Sequence, residues 1–408
     1  MEQYVITGVG VHNGLGGSAA ESWANLLTGK SAITSFSWPE DDSTKFPATH
    51  KSLKSHLGAI SPVAEQHPEL FAHDWPSFDR NAKACLASVH EAMMDSKITS
   101  NRVGVTINTF GGGTDFRLDL YKALDIGQKR YSPRRLLNTS VDFISAKIAG
   151  YYKLYGPNTS LNSACTSGLT GIDFAINTLK TDPELDGMIV GGVDHLVEPI
   201  FMYWFQTLNA LAMSDDPRAN CPFDAKRSGF VMGEGAATLI VEPMSKALAR
   251  GATIYAIIRS THLSTLYESD TSPDLSGDGA KLCVLKALEK AQVAASDISY
   301  INAHATSTPI GDKIEFDCIL SLMPGQVMVS NKGQLGHTMA GAGILETIYT
   351  LLAMKHSTTP PNINLTEPLG TGMILPTKQM SLDIKYAIKN SFGFGGRNAS
   401  IVLERYDG

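Results

Sequence analysis

The chain has 408 residues, 43% of them apolar and 18% charged, so it can bury a large core and is not a disordered or low-complexity polypeptide. At roughly 100–200 residues per domain, this length allows two to four units, or two halves fused around a shared core. Lys and Arg number 34 against 40 Asp and Glu, a net charge of -6, which is opposite to what gripping a phosphate backbone requires, so no nucleic-acid partner is expected.

Short β-branched runs alternate along the chain with helical patterns, as expected of an α/β layered protein with helices packed over mixed sheets. Strands are predicted at Val5–Val9, Val103–Asn108, Thr159–Asn162 and Met188–Gly191, with helices near 19–28, 79–97, 142–154 and 166–180. The second half repeats the order, with strands near Ile254–Thr261, Ile298–Ala303, Val327–Ser330 and Ala399–Leu403, and helices near 278–293, 310–322 and 340–355. The reading is therefore two similar halves, 1–250 and 251–408, related by order of elements rather than by letters. Residues 35–78, rich in Ser, Pro, His and Asp, have no clear periodicity and read as an excursion over the surface.

The apolar helical pattern Gly343–Met354 is interrupted by Glu346 and is shorter than the roughly 20 residues that span a bilayer. It predicts a buried helix, and no membrane insertion is expected. The opening Met1-Glu2-Gln3-Tyr4-Val5-Ile6 predicts a strand rather than a secretory leader. Cys85, Cys165, Cys221, Cys283 and Cys318 form no Cys-x-x-Cys pair, which argues against a disulfide framework or a zinc ribbon and fits a reducing, cytoplasmic setting.

Familiar nucleotide and hydrolase signals fail. The glycines of Thr7-Gly8-Val9-Gly10-Val11-His12-Asn13-Gly14 have the wrong spacing for a dinucleotide fingerprint, and Gly29-Lys30-Ser31 lacks the first glycine of a phosphate loop because position 24 is alanine. No Gly-x-Ser-x-Gly nucleophile elbow occurs, which leaves cysteine as the candidate nucleophile.

Asn162-Ser163-Ala164-Cys165-Thr166-Ser167-Gly168 lies between a predicted strand and a helix with apolar residues Leu169, Ile172, Ile176 and Leu179 at a 3.6 period. Cys165 is thus expected at a helix N-terminus, where the dipole and free amides favour the thiolate, lower its pKa and offer donors to an oxyanion. Taken alone it could equally be a buried, inert thiol. His304, in Asn302-Ala303-His304-Ala305-Thr306-Ser307-Thr308-Pro309, and His337, in Asn331-Lys332-Gly333-Gln334-Leu335-Gly336-His337, also follow predicted strands and precede helices. That placement favours neutral imidazoles able to donate to a developing oxyanion. A zinc site is the other reading, but only two histidines and scattered cysteines are on offer, so no metal is expected.

Five segments together carry a resemblance over Val5–Leu403. They are Ala164-Cys165-Thr166-Ser167-Gly168; Pro222-Phe223-Asp224 with Gly229-Phe230-Val231-Met232-Gly233-Glu234-Gly235; the His304 segment through Gly311-Asp312; Lys332 to His337; and Asn390-Ser391-Phe392-Gly393-Phe394-Gly395-Gly396. In this order they resemble the β-ketoacyl-acyl carrier protein synthases. The resemblance implies a thiolase-like αβαβα architecture of two similar halves with mixed five-stranded sheets. It also implies a Cys-His-His centre: Cys165 takes an acyl chain from a carrier-protein thioester, His304 and His337 serve decarboxylation of a malonyl thioester, and the carbanion attacks the acyl-cysteine. Splitting the chemistry this way needs a thiolate for transacylation and hydrogen-bond donors for the enolate.

By the same likeness the amides of Cys165 and Phe394 form the oxyanion hole, Lys332 is the lysine near the histidines, Glu346 and Phe392 support the site, and Thr306 and Thr308 hold the pantetheine arm. Lys332 could be a solvated loop lysine and Glu346 a surface acid, but a charge within the apolar 343–354 pattern favours a buried, paired role. Ala305, Gly333-Gln334-Leu335 and Arg397 depart from the family pattern, which puts the substrate pocket in question rather than the chemistry. Phe110, before Gly111-Gly112-Gly113, falls at the acyl pocket and is expected to shorten or reshape it.

Substrates would arrive on the phosphopantetheine of acyl carrier protein, with no cofactor on the enzyme. The cation run Gln128-Lys129-Arg130-Tyr131-Ser132-Pro133-Arg134-Arg135 places carrier docking at Lys129 and Arg130. The expected state is a homodimer, or a heterodimer with a related ketosynthase-like subunit. Fatty-acid and polyketide or polyene elongation both fit. The alternatives are a non-elongating acyl transferase or priming enzyme, against which His304, His337 and Lys332 argue, and a non-catalytic chain-length partner, against which Cys165 argues.

Overall fold

The computed structural model describes residues 2–37, 53–62, 70, 78–125, 127, 132–270 and 274–408. In chain order the strands are β1 (Tyr4–Asn13), β2 (Thr34–Ser35), β3 (Leu57–Ala59), β4 (Val103–Asn108), β5 (Asn158–Thr159), β6 (Gly187–Asp194), β7 (Met232–Gly233), β8 (Gly235–Pro243), β9 (Ala256–Thr265), β10 (Ile298–Asn302), β11 (Val327–Val329), β12 (Thr358–Thr359), β13 (Met380–Ser381), β14 (Tyr386–Gly393) and β15 (Arg397–Arg405). Every residue of β1, β4, β6 and β8 is buried, the pattern of strands covered by helices on both faces.

Ten strands join in the order β11-β10-β14-β15-β9-β1-β8-β6-β4-β5. The join in the middle is narrow: β9 and β1 share only the pairs Tyr4–Ile258, Val5–Ile257 and Ile6–Ala256. On either side of this seam the same five-stranded plan recurs. In one half β5, β4 and β6 run parallel, followed by antiparallel β8 and β1. In the other, β11, β10 and β14 run parallel, followed by antiparallel β15 and β9. These are the expected mixed five-stranded sheets.

Each outermost strand leads into a central helix. β5 is followed by the helix Ser167–Thr181, and β11, after two short turns, by the helix Ala342–His356. Their apolar faces, with Leu169, Ile172, Ile176 and Leu179 from one and Ile344, Leu345, Ile348 and Leu352 from the other, share one core cluster between the two sheets. The helices cross where both carry glycine. A Cβ on Gly168 would lie 2.7 Å from the Ile344 amide nitrogen, and one on Gly343 would lie 3.1 Å from that of Leu169. Outer helices close the stack: Arg80–Ser96 and Phe143–Tyr152 over one sheet, Asp278–Ala291 and Pro309–Leu322 over the other. Asp79 caps the first of these by accepting from the Ala82 amide, and Lys97 ends it in the left-handed conformation.

Several predicted boundaries move. The strand expected at Thr159–Asn162 is β5, only Asn158–Thr159, because the chain must already turn toward Cys165. The 35–78 excursion holds β3, which pairs with β2 and β7 in a small three-stranded sheet. Strands β8 and β14 and the helices Thr114–Asp125 and Pro199–Thr207 were not predicted. In β14 the polar pair Lys389-Asn390 hides the strand signal, yet both residues are buried.

Candidate active site

The segment after β5 is held by its own small side chains. The Ser163 amide donates to Ser167 Oγ at 2.8 Å, Ser167 Oγ donates to the Ala164 carbonyl at 2.6 Å, and the Ala164 amide donates to Asn162 Oδ1 at 3.0 Å. Ala164 takes a left-handed conformation, φ 54, a strained setting for a non-glycine residue, and such strain collects at functional sites. The turn presents Cys165 just before the Ser167–Thr181 helix, whose flanking residue is Thr166.

The sequence reading expected a lowered thiol pKa here. The structure gives the opposite sign: burial pushes the Cys165 thiol up to about 11, although Lys332 and the residue's own amide pull it down. The residue keeps a partial opening to solvent, but desolvation by the protein around it outweighs the helix start. A proton acceptor is adjacent, with His337 Nε2 3.1 Å from Cys165 Sγ.

His337 follows β11. Its amide donates to the Val231 carbonyl at 2.7 Å, and its ring packs on Phe230 at 5.5 Å between centroids. His304 follows β10, and the helix beyond it opens at Pro309, as the sequence predicts; like His337 before the helix at Ala342, it stands several residues ahead of the helix rather than at its first turn. What fixes it is Glu315, whose carboxylate accepts the His304 amide at 2.9 Å and the Ala305 amide at 2.7 Å. The two imidazoles lie 5.3 Å apart, nearly perpendicular, and Phe392 packs on His304 at 6.4 Å.

Both histidines are pushed well below the ordinary imidazole value, first by burial and then by Lys332, with Lys389 adding to it. They are neutral, as the sequence predicted, but through burial and lysine charge rather than a helix dipole. Among the described residues neither Nδ1 has a hydrogen-bond partner, so no protein group pins the tautomer. The donor atoms of Cys165, His304 and His337 all lie within 4.8 Å of one another.

Behind the imidazoles sits a buried ionic cluster. Lys332 pairs with Glu346 Oε1, and Lys389 lies 2.9 Å from Glu346 Oε2. Glu346 is thus buried and paired, as its place in the apolar 343–354 pattern implies, and its partner is Lys332, the lysine that the family resemblance puts near the histidines. Asn302 Nδ2 donates to Asn331 Oδ1 at 2.9 Å and to the Glu346 carbonyl at 3.2 Å, tying the end of β10 to the helix Ala342–His356.

The remaining predicted residues fall around this centre. Thr306 and Thr308 lie on the loop after His304 with hydroxyls 3.2 Å apart. Phe110 and Phe394 pack against one apolar cluster, and the rings of Phe110, Phe205, Phe230 and His337 touch in series at 6.3, 5.5 and 5.5 Å. Of the family departures, Ala305 is buried against Glu315, Gln334 is buried and donates to the Leu26 carbonyl at 2.6 Å, and Arg397 is exposed. Lys129 and Arg130 lie outside the described residues.

Three residues of the site were missed in sequence. Besides Glu315 and Lys389, Asp194 at the end of β6 accepts from Thr109 Oγ1 at 2.9 Å, the Phe110 amide at 3.0 Å and the Gly111 amide at 2.8 Å. Its other oxygen takes the Ala340 amide at 2.9 Å. One buried carboxyl, raised to about 6 by desolvation, therefore joins the Phe110 turn to the turn after His337.

Residues 1–247 match the family described as Beta-ketoacyl synthase, N-terminal domain, and residues 255–366 match Beta-ketoacyl synthase, C-terminal domain. The chain belongs to the β-ketoacyl synthase family. The synthase is 34% identical to the 3-oxoacyl-[acyl-carrier-protein] synthase 2 of Rhizobium meliloti (strain 1021), with 100% of each chain covered. Among solved structures it resembles a beta-ketoacyl synthase from Burkholderia phymatum STM815, with TM-score 0.89, 29% identity and 100% of both chains covered. It also resembles the ishigamide ketosynthase/chain length factor, with TM-score 0.87, 26% identity and 99% of both chains covered. The thiolase-like layered fold, the ketosynthase assignment and its acyltransferase type of chemistry thus follow from sequence and structure alike.

Proposed function

We propose that the synthase elongates an acyl chain held as a thioester on Cys165, using a malonyl unit delivered on the phosphopantetheine of an acyl carrier protein. The observation that carries this reading is the convergence of one thiol and two neutral imidazoles within 4.8 Å. In the first half-reaction the thiol proton passes toward His337 Nε2, 3.1 Å away, while the sulfur attacks the incoming thioester carbonyl and the pantetheine thiol leaves. In the second, the malonyl carboxylate leaves as carbon dioxide, and His304 and His337 donate hydrogen bonds to the enolate oxygen. The carbanion then attacks the acyl-cysteine carbonyl and frees Cys165. Because among the described residues neither Nδ1 has a hydrogen-bond partner, His337 Nε2 can accept in the first step and donate in the second.

The amides of Cys165 and Phe394 are taken as the oxyanion hole. In support, a Cβ on Gly393 would lie 3.5 Å from the Cys165 amide nitrogen, and Gly395 and Gly396 follow at φ 73 and 66, a turn only glycine adopts freely. Thr306 and Thr308 are assigned to the pantetheine arm, and Phe110 to the wall of the acyl pocket. No metal or prosthetic group enters this reading, and residues 1–250 and 251–408 serve as its two halves. We place the synthase in the cytoplasm. Among the described residues no helix is long and apolar enough to cross a membrane. An assembly with a second ketosynthase-like chain is proposed on the likeness to the ishigamide ketosynthase/chain length factor.

The test is intact mass after mixing the protein with acyl carrier proteins bearing short, long, unsaturated and aryl groups, then adding malonyl carrier protein. Loading of Cys165 followed by a β-ketoacyl product two carbons longer is expected. Loading with elongation only after a related subunit is added would make the heterodimer the active unit, and no loading of any group would overturn the reading.

A further inference from the structure

The site read from sequence has one lysine and one carboxylate behind the histidines; the structure holds two of each. Lys332 is 1% exposed, Lys389 0%, Glu346 2% and Glu315 1%, so their charges are compensated by one another rather than by water. Lys389 projects from β14 onto Glu346 Oε2 at 2.9 Å and also donates to the Asn390 carbonyl and, at 3.4 Å, to Ser391 Oγ. Lys332, from the short helix Lys332–Leu335, takes Oε1 of the same carboxylate. Burial pushes Glu315, from the helix Pro309–Leu322, up and Lys389 down; against this the amides of His304 and Ala305 and both lysines hold Glu315 as a carboxylate, and Glu346 holds Lys389 as an ammonium.

Two ammonium groups and two carboxylates sum to zero. Removing Lys389 alone would leave one lysine against two carboxylates, a net negative charge buried behind the imidazoles. Among the described residues no other neighbour supplies positive charge, and Asp194, which acts on Cys165 and is bonded to the turn after His337, adds only negative. The phenols of Tyr300 on β10 and Tyr349 on the Glu346 helix are pushed up by burial and stay neutral, as do His304 and His337. The Cys165 thiol, also raised, adds no positive charge.

We infer that Lys389 is a positioning residue for condensation: as the second counter-charge on Glu346 it keeps the wall behind His304 and His337 neutral instead of net negative, so the imidazoles meet the malonyl carboxylate and its enolate as neutral donors. It acts through the histidines rather than by touching substrate, and the inference rests on the function proposed above. An unopposed carboxylate would repel the malonyl carboxylate and its enolate, and would favour imidazolium, which holds the malonyl carboxylate as an ion pair against its loss as carbon dioxide.

The experiment compares the parent with Lys389→Met and with Lys389→Met/Glu346→Gln, which removes one charge of each sign and restores neutrality. Acyl loading of Cys165 is read by intact mass, carbon dioxide release from malonyl carrier protein is followed against pH, and folding is checked by thermal melting. In Lys389→Met, loading persists, carbon dioxide release falls about tenfold at pH 7, and the acid limb moves up by about one pH unit. The double variant moves the limb back toward the parent, which a merely structural lysine would not produce. Should Lys389→Met not fold, Glu346→Gln carries the test with opposite sign, because its excess positive charge must move the limb down. An unmoved limb in either single variant, or a shift the double variant does not reverse, overturns the inference while the parent still loads and decarboxylates. A parent that does neither overturns the proposed function and this inference with it.

Discussion

The two five-stranded halves share a plan but differ in what stands at the ends of their strands. After β5, the first half places small residues, one thiol and a strained Ala164. After β10 and β11, the second half places two imidazoles backed by Lys332, Lys389, Glu315 and Glu346. Cys165 and His337 hold equivalent positions, each between an outermost strand and a central helix, and the glycine crossing of those helices brings them to 3.1 Å. One scaffold repeated about a seam thus delivers a thiol from one half and two imidazoles from the other to one point; in the proposed function the first half supplies the acyl-carrying group and the second the decarboxylating groups, with His337 also taking the thiol proton. Asp194 bridges them, holding the Phe110 turn of the first half and the Ala340 turn of the second.

The comparison can be broken most severely at the contact itself. His337→Ala removes the second half's group that touches the thiol, and condensation kcat/KM is expected to fall by about three orders of magnitude while the protein still melts cooperatively. Next in size is the helix crossing. Gly168→Ala puts a Cβ 2.7 Å from backbone, and urea unfolding should show a loss of about 3 kcal/mol. Gly150→Ala, in a helix where a Cβ meets nothing within 4 Å, should instead be neutral or gain up to about 1 kcal/mol.

Smaller effects sharpen the division of labour. Phe110→Ala opens the apolar cluster on the first half's side, and intact-mass competition should shift loading toward longer chains by about tenfold, or roughly 1.4 kcal/mol. A parent-like chain-length profile would remove Phe110 from the pocket. The pH profile addresses the second half. Because burial, then Lys332, hold His304 and His337 well below 6.5, lowering the pH from 7 to 6 leaves both neutral, and condensation should change less than about twofold. A steep loss over that interval would mean that ordinary, solvated imidazoles do the work.

Cys165, His304 and His337 were legible as candidates because each ends a strand signal and precedes a distinctive small-residue or turn segment, and their joint role came with the resemblance of the five segments. Glu346 was legible because it breaks an otherwise apolar helical pattern, and Lys332 through the family resemblance of its segment. Lys389, Glu315 and Asp194 were not, since a lone charge in a strand or on a helix ordinarily faces water and their partners are distant in sequence. Glu315 acts on the His304 amide eleven residues away, and Asp194 on amides 83 to 146 residues away. The one usable signal was a lysine in the run Tyr386-Ala387-Ile388-Lys389 directly before Asn390-Ser391-Phe392. The sign of the Cys165 shift failed for a related reason: a helix start can be read from spacing, but the depth of burial that outweighs it comes from elements throughout the chain.

The central claim of the proposed function is that decarboxylation rests on the second half's histidines and does not need the thiol, and the most direct measurement is labelled carbon dioxide release from malonyl carrier protein by Cys165→Ala. The account predicts that release continues, because His304 and His337 remain in place, while loading and the β-ketoacyl product vanish. Loss of carbon dioxide release together with the product, in a variant that still folds and binds malonyl carrier protein, would contradict it.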